Sequence, residues 1–445
     1  KGAVEEILDI SSVAEYKGKI EPLTDDLKNE ILGTVRNLNN KGMRVIAISQ
    51  KNNPSEEGVF SVSDESEMCL MGFLAFLDPP KESAKEAIET LKGNGVDVKI
   101  LSGDNEAVTK SIYNLVGIQE DEVISGVDLE KMSEEEVYSV VAKNKIFAKL
   151  SSNQKTMIVS YLRKHHVVGF LGDGINDAGA ISKADVGISV DTAVEISKES
   201  ADIILLQKDL MVLEKGVIEG RRTFGNTMKY IRMTASSNFG NMLSVLIASI
   251  FLPFLPMLPL QILMLNLIYD ISCVSLPWDR VDKEYLKKPR KWDASSIGNF
   301  MLCFGPVSSI FDITTYLIMF FIICPAVLGG NYGAVGVSSI AFMALFNTGW
   351  FVESLWSQTL VIHLLRTPKL PFIESRPSLI VILVTCLGIA VGTILAFTAV
   401  GRALGMSSLP WFYFPWLIAT MIGYIILATV IKEIVKKYKV FSFFQ

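Results

Sequence analysis

A chain of 445 residues that is 50% hydrophobic, with a mean hydropathy of +0.37, carries more apolar matter than one soluble core needs. Its formal net charge of −5 comes with no basic stripe or RNA-binding signature, so nucleic acid is not expected as a partner. Five cysteines, Cys69, Cys273, Cys303, Cys324 and Cys386, lack Cys-x-x-Cys spacing, which argues against a zinc site or a disulfide framework.

The first 220 or so residues are mixed and charged, as in a soluble α/β unit, and the apolar surplus lies after residue 228. In chain order, Gly72 to Leu77 is an apolar run that meets Asp78-Pro79-Pro80-Lys81, where Asp78 reads as a structural hinge. Val98 to Leu101 is β-rich and ends in Ser102-Gly103-Asp104-Asn105 before a helical pattern. That layout suits a phosphate cradle: Ser102 can bond a phosphoryl oxygen, and the helix that follows offers amides to an anion. A plain helix cap is the alternative. Phe147 to Ser151 reads as a strand leading into a capped helix, on which Lys155 either neutralises phosphoryl charge or is solvated surface.

Val167 to Leu171 reads as a buried parallel strand, and it runs into Gly172-Asp173-Gly174-Ile175-Asn176-Asp177. Carboxyl ends of strands are where open α/β sheets bind ligands, and two aspartates in a glycine-rich turn suit one hard cation, Mg²⁺. An Asx-turn is the alternative. A small hydroxyl, then a lysine, then paired aspartates, each beside a strand end, is the constellation of Mg²⁺-assisted phosphoryl transfer.

Six membrane helices are predicted, at about 228–252, 257–278, 299–324, 338–363, 377–400 and 411–432. The connection from Asp279 to Asp293 carries six Lys or Arg, the later one carries Arg366, Lys369 and Arg376, and the tail carries Lys432, Lys436, Lys437 and Lys439. By the positive-inside rule these faces are cytoplasmic, and so is the soluble unit. A long helix from Arg221 through Tyr230 is expected to link the two parts. Polar groups inside such helices are costly and default to function. Asn238 and Asn241 share a face of the first helix, while Asn266 and Asp270, with Tyr269, lie on the second. Together they would form an oxygen-rich cation cage. Asp312 and Glu353 either contribute or satisfy helical networks. His363 is expected at the membrane boundary, and His165 and His166 on the surface.

These motifs resemble the P-type cation-transporting ATPases. The matching segments are Asp78-Pro79-Pro80-Lys81, Ser102-Gly103-Asp104, Lys155, Gly172 to Asp177, and Ala184-Asp185-Val186-Gly187-Ile188. Lys1-Gly2-Ala3 and Gly42-Met43-Arg44 are similar to elements of the family's nucleotide-binding domain. The resemblance implies an α/β haloacid-dehalogenase-like (Rossmann-like) cytoplasmic domain followed by an all-α six-helix transmembrane domain. Residues 1–70 would end the nucleotide-binding domain, 71–220 form the phosphorylation domain and 221–445 the membrane domain. It further implies that Lys1, Gly2 and Arg44 help bind ATP and that Ser102, Gly103, Asp104 and Lys155 serve the phosphoryl group. Asp173 and Asp177 would hold catalytic Mg²⁺, with Asn176 and Asp177 shaping the loop. The transported cation would fall to Asn238, Asn241, Asn266 and Asp270, and Glu353 joins them as a candidate on its own chemistry.

Within the family, Asn266 to Asp270, Leu276 to Asp282, Phe304 to Asp312 and Ser357 to His363 look like the bacterial magnesium-transporting branch. That branch implies import of Mg²⁺, at the expense of ATP, across the inner (plasma) membrane by a multi-pass protein in contact with lipid. Asn241 stands where calcium pumps of the family carry glutamate, which argues against a two-calcium site. Ser102 replaces a commoner threonine, while Gly179 and Ser152-Asn153 stand where prolines are usual. The family's phosphorylated Asp-Lys-Thr-Gly-Thr motif does not occur in the sequence. The chain is therefore expected to be the C-terminal half of a longer pump, whose N-terminal half carries the nucleophile. A proton or calcium pump, or a catalytically inactive membrane regulator, are the alternatives.

Overall fold

A computed structural model describes residues 1–51, 61–77, 80–117 and 122–438. Asp78, Pro79 and Lys439 lie outside the described residues. The chain divides into two compact units, Lys1–Val217 and Ile218–Gln445.

The first unit opens with α1 (Val4–Asp9), β1 (Ser11–Tyr16), β2 (Lys19–Pro22), α2 (Asp25–Asn40), β3 (Met43–Gln50) and β4 (Met68–Leu77), whose strands form a sheet in the order β2-β1-β4-β3. Strand β4 pairs antiparallel with β3 from Met43 opposite Leu77 to Gln50 opposite Cys69. The expected boundary at 70/71 therefore falls inside a strand, and this sheet continues to Leu77. The reason is local: the β-rich run from Met68 onward meets no proline before the Pro-Pro pair, and Gly72 within it is absorbed at a register shift opposite Ile48. Val4, Ile7, Val45, Ala47 and Leu70 close one core beneath it.

Beyond come α3 (Glu82–Gly93), β5 (Ile100–Leu101), α4 (Glu106–Leu115), β6 (Ile124–Ser125), α5 (Gly126–Glu130), α6 (Glu134–Lys143), β7 (Ile146–Ala148) and α7 (Ser152–Arg163). After them lie β8 (Gly169–Leu171), α8 (Ala178–Lys183), β9 (Val186–Val190), α9 (Glu195–Glu199) and β10 (Ile203–Leu205). The short strands make two parallel three-stranded sheets, β5-β7-β6 and β10-β9-β8. Helical crossovers between parallel strands are what this alternation requires. Central β7 is fully buried, whereas β8 is an edge strand with Val167 71% exposed and Leu171 37% exposed, so the expected buried strand is instead a partly open one. Asp185 ties the end of α7 to the start of this strand, accepting from Arg163 Nε at 2.9 Å and from the Val168 amide at 2.9 Å.

Helix α10 is continuous from Leu210 to Phe251, starting well before the expected 228. The second unit continues with α11 (Pro259–Cys273), α12 (Lys283–Leu286), α13 (Ala294–Ile318), α14 (Cys324–Leu328), α15 (Ser339–Leu365), α16 (Leu379–Leu395), α17 (Ala399–Ala403) and α18 (Tyr413–Tyr438). Six helical segments thus stand at the six expected places. Among the described residues, three are long and apolar enough to cross a membrane: Pro259–Trp278, Ala294–Leu328 and Tyr413–Tyr438, with Leu379–Leu395 a shorter apolar helix. Helices α10 and α15 are too polar to join them. Their polar groups are largely turned inward: α15 is buried on all sides over its C-terminal two-thirds, including Asn347, Glu353, Ser354 and Gln358. A helix covered all round is the centre of its bundle. Its last carbonyls, and those just after it, are satisfied by Lys432, whose Nζ donates to Leu364, Thr367 and Lys369 carbonyls at 3.1, 3.2 and 2.8 Å.

Candidate functional site

In the first unit, the residues that the sequence singled out converge on the N-terminal end of α7. Ser151 caps that helix, with Gln154 completing a reciprocal capping box. The Leu150 amide donates to the Ser102 carbonyl at 3.0 Å and the Lys149 amide to that of Asp104 at 2.8 Å, which fastens the Ser102-Gly103-Asp104 turn against this end. The Asp104 amide donates to Ser102 Oγ at 3.1 Å, and the next helix is capped by Asn105. Lys155, one turn inside α7 and 9% exposed, reaches the opposite way to Asp177 Oδ1 at 2.8 Å.

The Gly172 to Asp177 loop is held by the backbone as much as by side chains. Asp177 Oδ2 accepts from the Gly174 amide at 3.3 Å, Ser197 Oγ donates to the Gly174 carbonyl at 2.7 Å, and Ser189 Oγ donates to the Gly172 carbonyl at 3.0 Å. A Cβ on Gly172 would stand 2.5 Å from Asp177 Cβ. Gly172→Ala is expected to push Asp177 off Lys155 at a cost of about 1–3 kcal/mol, read as a lower denaturation midpoint; an unchanged midpoint would show that the loop yields freely.

The two aspartates differ in what is left to them. Both oxygens of Asp177 are engaged, whereas Asp173 is half exposed and its Oδ2 pairs with Lys208 Nζ at 2.6 Å. Asp177 therefore shapes the loop, and Asp173 is the carboxylate open to an ion, a donor set that suits Mg²⁺, which takes one or two carboxylates plus water and phosphate. Among the described residues, no group of three or more His, Cys, Asp or Glu gathers to hold a metal. Asn176 is exposed at the loop's rim. Lys208 has little signal in the sequence: it is a lysine three residues past the short apolar strand β10. Arg44 is exposed, and its Nε lies 3.4 Å from Asp104 Oδ1. Gly2 is bridged to Ala47 by two backbone bonds, and Lys1 beside it is exposed.

In the second unit the residues of the expected cage differ in exposure. Asn241 and Glu353 are buried, Asn266 is half-buried, and Asn238 and Asp270 are exposed. The cause is the face of α11 that packs: Leu265, Ile268, Tyr269, Ser272 and Cys273 turn inward, which carries Asp270 outward. What the bundle does enclose is a polar chain through α10, α13 and α15. Ser244 Oγ donates to Asp312 Oδ2 at 2.7 Å, Trp350 Nε1 to Asp312 Oδ1 at 3.1 Å, and Gln358 Nε2 to Asn241 Oδ1 at 3.3 Å. His363, in the last turn of α15, is buried with Thr385 Oγ1 at 3.0 Å. His165 and His166 are exposed, as expected.

A second buried polar centre surrounds Asp279, whose side chain is fully enclosed. It accepts from Lys229 Nζ at 2.7 Å, from Arg366 Nη1 at 3.1 Å and from the Ser378 amide at 3.2 Å. Burial by itself would raise the carboxyl pKa, but the two cations outweigh it and hold Asp279 below the usual carboxylate range.

Comparison with known proteins agrees with this architecture. Residues 1–83 match the family described as "P-type ATPase, cytoplasmic domain N", residues 56–185 the haloacid dehalogenase-like hydrolases, and residues 254–436 "Cation transporting ATPase, C-terminus". The chain is 50% identical over 440 residues to "Magnesium-transporting ATPase, P-type 1" of Salmonella typhimurium, covering 97% of this chain and 47% of that protein. Identity to the protein of the same name in Escherichia coli is 47%, with the same coverage of each. "Calcium-transporting ATPase 1" of Bacillus cereus is 32% identical over 65% of this chain and 33% of its own length. The chain spans about half the length of the magnesium-transporting relatives it matches. On these grounds, the chain belongs to the P-type cation-transporting ATPases, a family of membrane proteins.

Proposed function

We propose that this chain is the part of an ATP-driven magnesium pump that holds the transferred phosphoryl group and contributes to the cation path. The observation that supports the reading best is the convergence of the Ser102 turn, Lys155 and the Gly172 to Asp177 loop on one end of α7. In this reading Ser102, the Gly103 backbone and Lys155 hold the phosphoryl oxygens. Asp104 braces the turn, Asn176 and Asp177 shape the loop, and Asp173 holds Mg²⁺, which supplies charge neutralisation when bound. Lys1, Gly2 and Arg44 approach ATP. The nucleophilic aspartate comes from outside residues 1–445. Among the described residues, β5 and β8 are edge strands of their sheets, and Ser102 and Asp173 follow their carboxyl ends.

The cargo is Mg²⁺, moved into the cytoplasm through the plasma membrane, with the first unit on the cytoplasmic side. The near relatives named as magnesium transporters support the ion. Asn238, Asn266 and Asp270 serve the cation path on an open face of α10 and α11 that further helices cover, while Asn241 and Glu353 serve it from inside the bundle.

The test is acid-quenched phosphorylation of the intact pump with labelled ATP, paired with Mg²⁺ and Ca²⁺ uptake into vesicles. A hydroxylamine-sensitive label together with Mg²⁺ uptake is the expected result. A label with Ca²⁺ flux alone would reassign the ion, and no label would point to an inactive regulator.

A further inference from the structure

We propose that Asp312 on α13 and Glu353 on α15 form a binding centre for a hard divalent cation, with the Tyr316 hydroxyl as a third oxygen; this deepens the magnesium-transport reading and rests on it. Asp312 is 3% exposed and Glu353 1% exposed, and the two carboxyls are electrostatic neighbours. Neither makes an ion pair among the described residues. Two enclosed carboxyls side by side call for positive charge between them.

The hydrogen bonding is lopsided. Asp312 is aimed by donors on two other helices, Ser244 Oγ at 2.7 Å and Trp350 Nε1 at 3.1 Å. Glu353 accepts from no donor on a third helix, and the group on α13 within hydrogen-bonding reach of it is the Asp312 carboxyl. The Tyr316 hydroxyl, one turn along α13 from Asp312 and fully buried, has no hydrogen-bond partner, and it lies in the field of both carboxyls. Unmet buried acceptors are rare and each needs an explanation. Helix packing alone does not supply one, because packing would be served better by apolar groups of the same shape. Oxygen donors only, two of them anionic and one carboxylate already braced, are the set a hard divalent ion takes in preference to a soft one. Most of the expected cage lies elsewhere: Asp270 is exposed and belongs to α11. Asp312 is thus assigned to the cation path by the structure, on a helix that contributes none of the expected cage.

The test reads Mn²⁺ binding, by electron paramagnetic resonance, to the intact pump without nucleotide and with Mg²⁺ as competitor. Asp312→Asn and Glu353→Gln are each expected to weaken one class of bound Mn²⁺ by at least about tenfold, and Asp312→Glu to retain it. Asp270→Asn in combination should act independently. If Asp312→Asn does not fold, Tyr316→Phe, which removes one unbonded oxygen and leaves the ring in place, decides the matter by the same loss. Unchanged Mn²⁺ affinity and stoichiometry in folded Asp312→Asn, or in folded Tyr316→Phe where only that variant survives, would overturn the centre. Because the readout needs neither ATP nor flux, a pump that moves Mg²⁺ yet shows no such loss refutes only this site. A loss of Mn²⁺ binding in a protein that moves no Mg²⁺ refutes the transport reading instead.

Discussion

Asp279→Ala is expected to destabilise the second unit by about 3–5 kcal/mol, seen as a fall in the thermal midpoint of the intact protein in lipid. The substitution removes the acceptor of Lys229 and Arg366, and the Arg366 side chain is fully enclosed. Arg366 would keep the Ser375 carbonyl and hydroxyl as neutral acceptors but lose its countercharge. A buried guanidinium in that state is far costlier than the pair it came from. Glu284→Ala is the control, since Glu284 meets Lys369 at 3.0 Å in an exposed pair, and exposed pairs contribute little. Equal effects of the two substitutions would remove the argument.

The same residue sets a pH dependence. Because Asp279 is held below its ordinary value in the folded protein, its contribution is fully present above the unfolded carboxylate pKa of about 3.9. It is lost as pH falls through the lower folded value. Acid should therefore unfold the wild type more steeply than Asp279→Ala in that range.

Lys155→Met is expected to reduce phosphoenzyme formation by roughly 10²–10³-fold while leaving the fold intact. Lys155 is 9% exposed and hydrogen-bonded to Asp177, so removing its ammonium takes away both the phosphoryl contact and the brace of the Mg²⁺ loop. Methionine keeps the buried stem packed. Lys164→Met, one residue past the same helix on an exposed side chain with Glu134 at 3.8 Å, should leave the rate unchanged. A Lys155→Met protein that phosphorylates within about twofold of wild type would rule out the role given to Lys155.

Much of the soluble site was legible because its chemistry is local in sequence. Ser102, Lys155 and Asp173 each follow a strand within a few residues, so motif and position coincide. What the sequence could not show is how the loops divide their labour: Asp173 and Asp177 look equivalent on paper, and only the contact with Lys155 separates brace from open ligand. In the membrane part, helix number and place followed from apolar length. The facing of side chains did not, because α11 has polar groups on two faces and its packed side is chosen by distant helices. Asn266 and Asp270 share a spacing that suits a cage, yet Tyr269 and Cys273 take the inward positions. Asp312 was underweighted for the converse reason, since its donors come from residues 244 and 350. His363 was placed at the boundary from helix length alone, and its bond to Thr385 is likewise a product of tertiary packing.

The enclosure of α15 bears on how this protein can change over time. A helix with one solvent or lipid face can drift there, so related sequences keep a periodic stripe and vary between its repeats. From Leu345 to Leu365 almost every side chain of α15 meets another part of the chain, and Gln358 and His363 meet it through directed bonds to Asn241 and Thr385. Such a segment has no neutral face on which substitutions can accumulate singly. Variation there proceeds by matched changes on the helices around it, and α15 sets the pace for its neighbours.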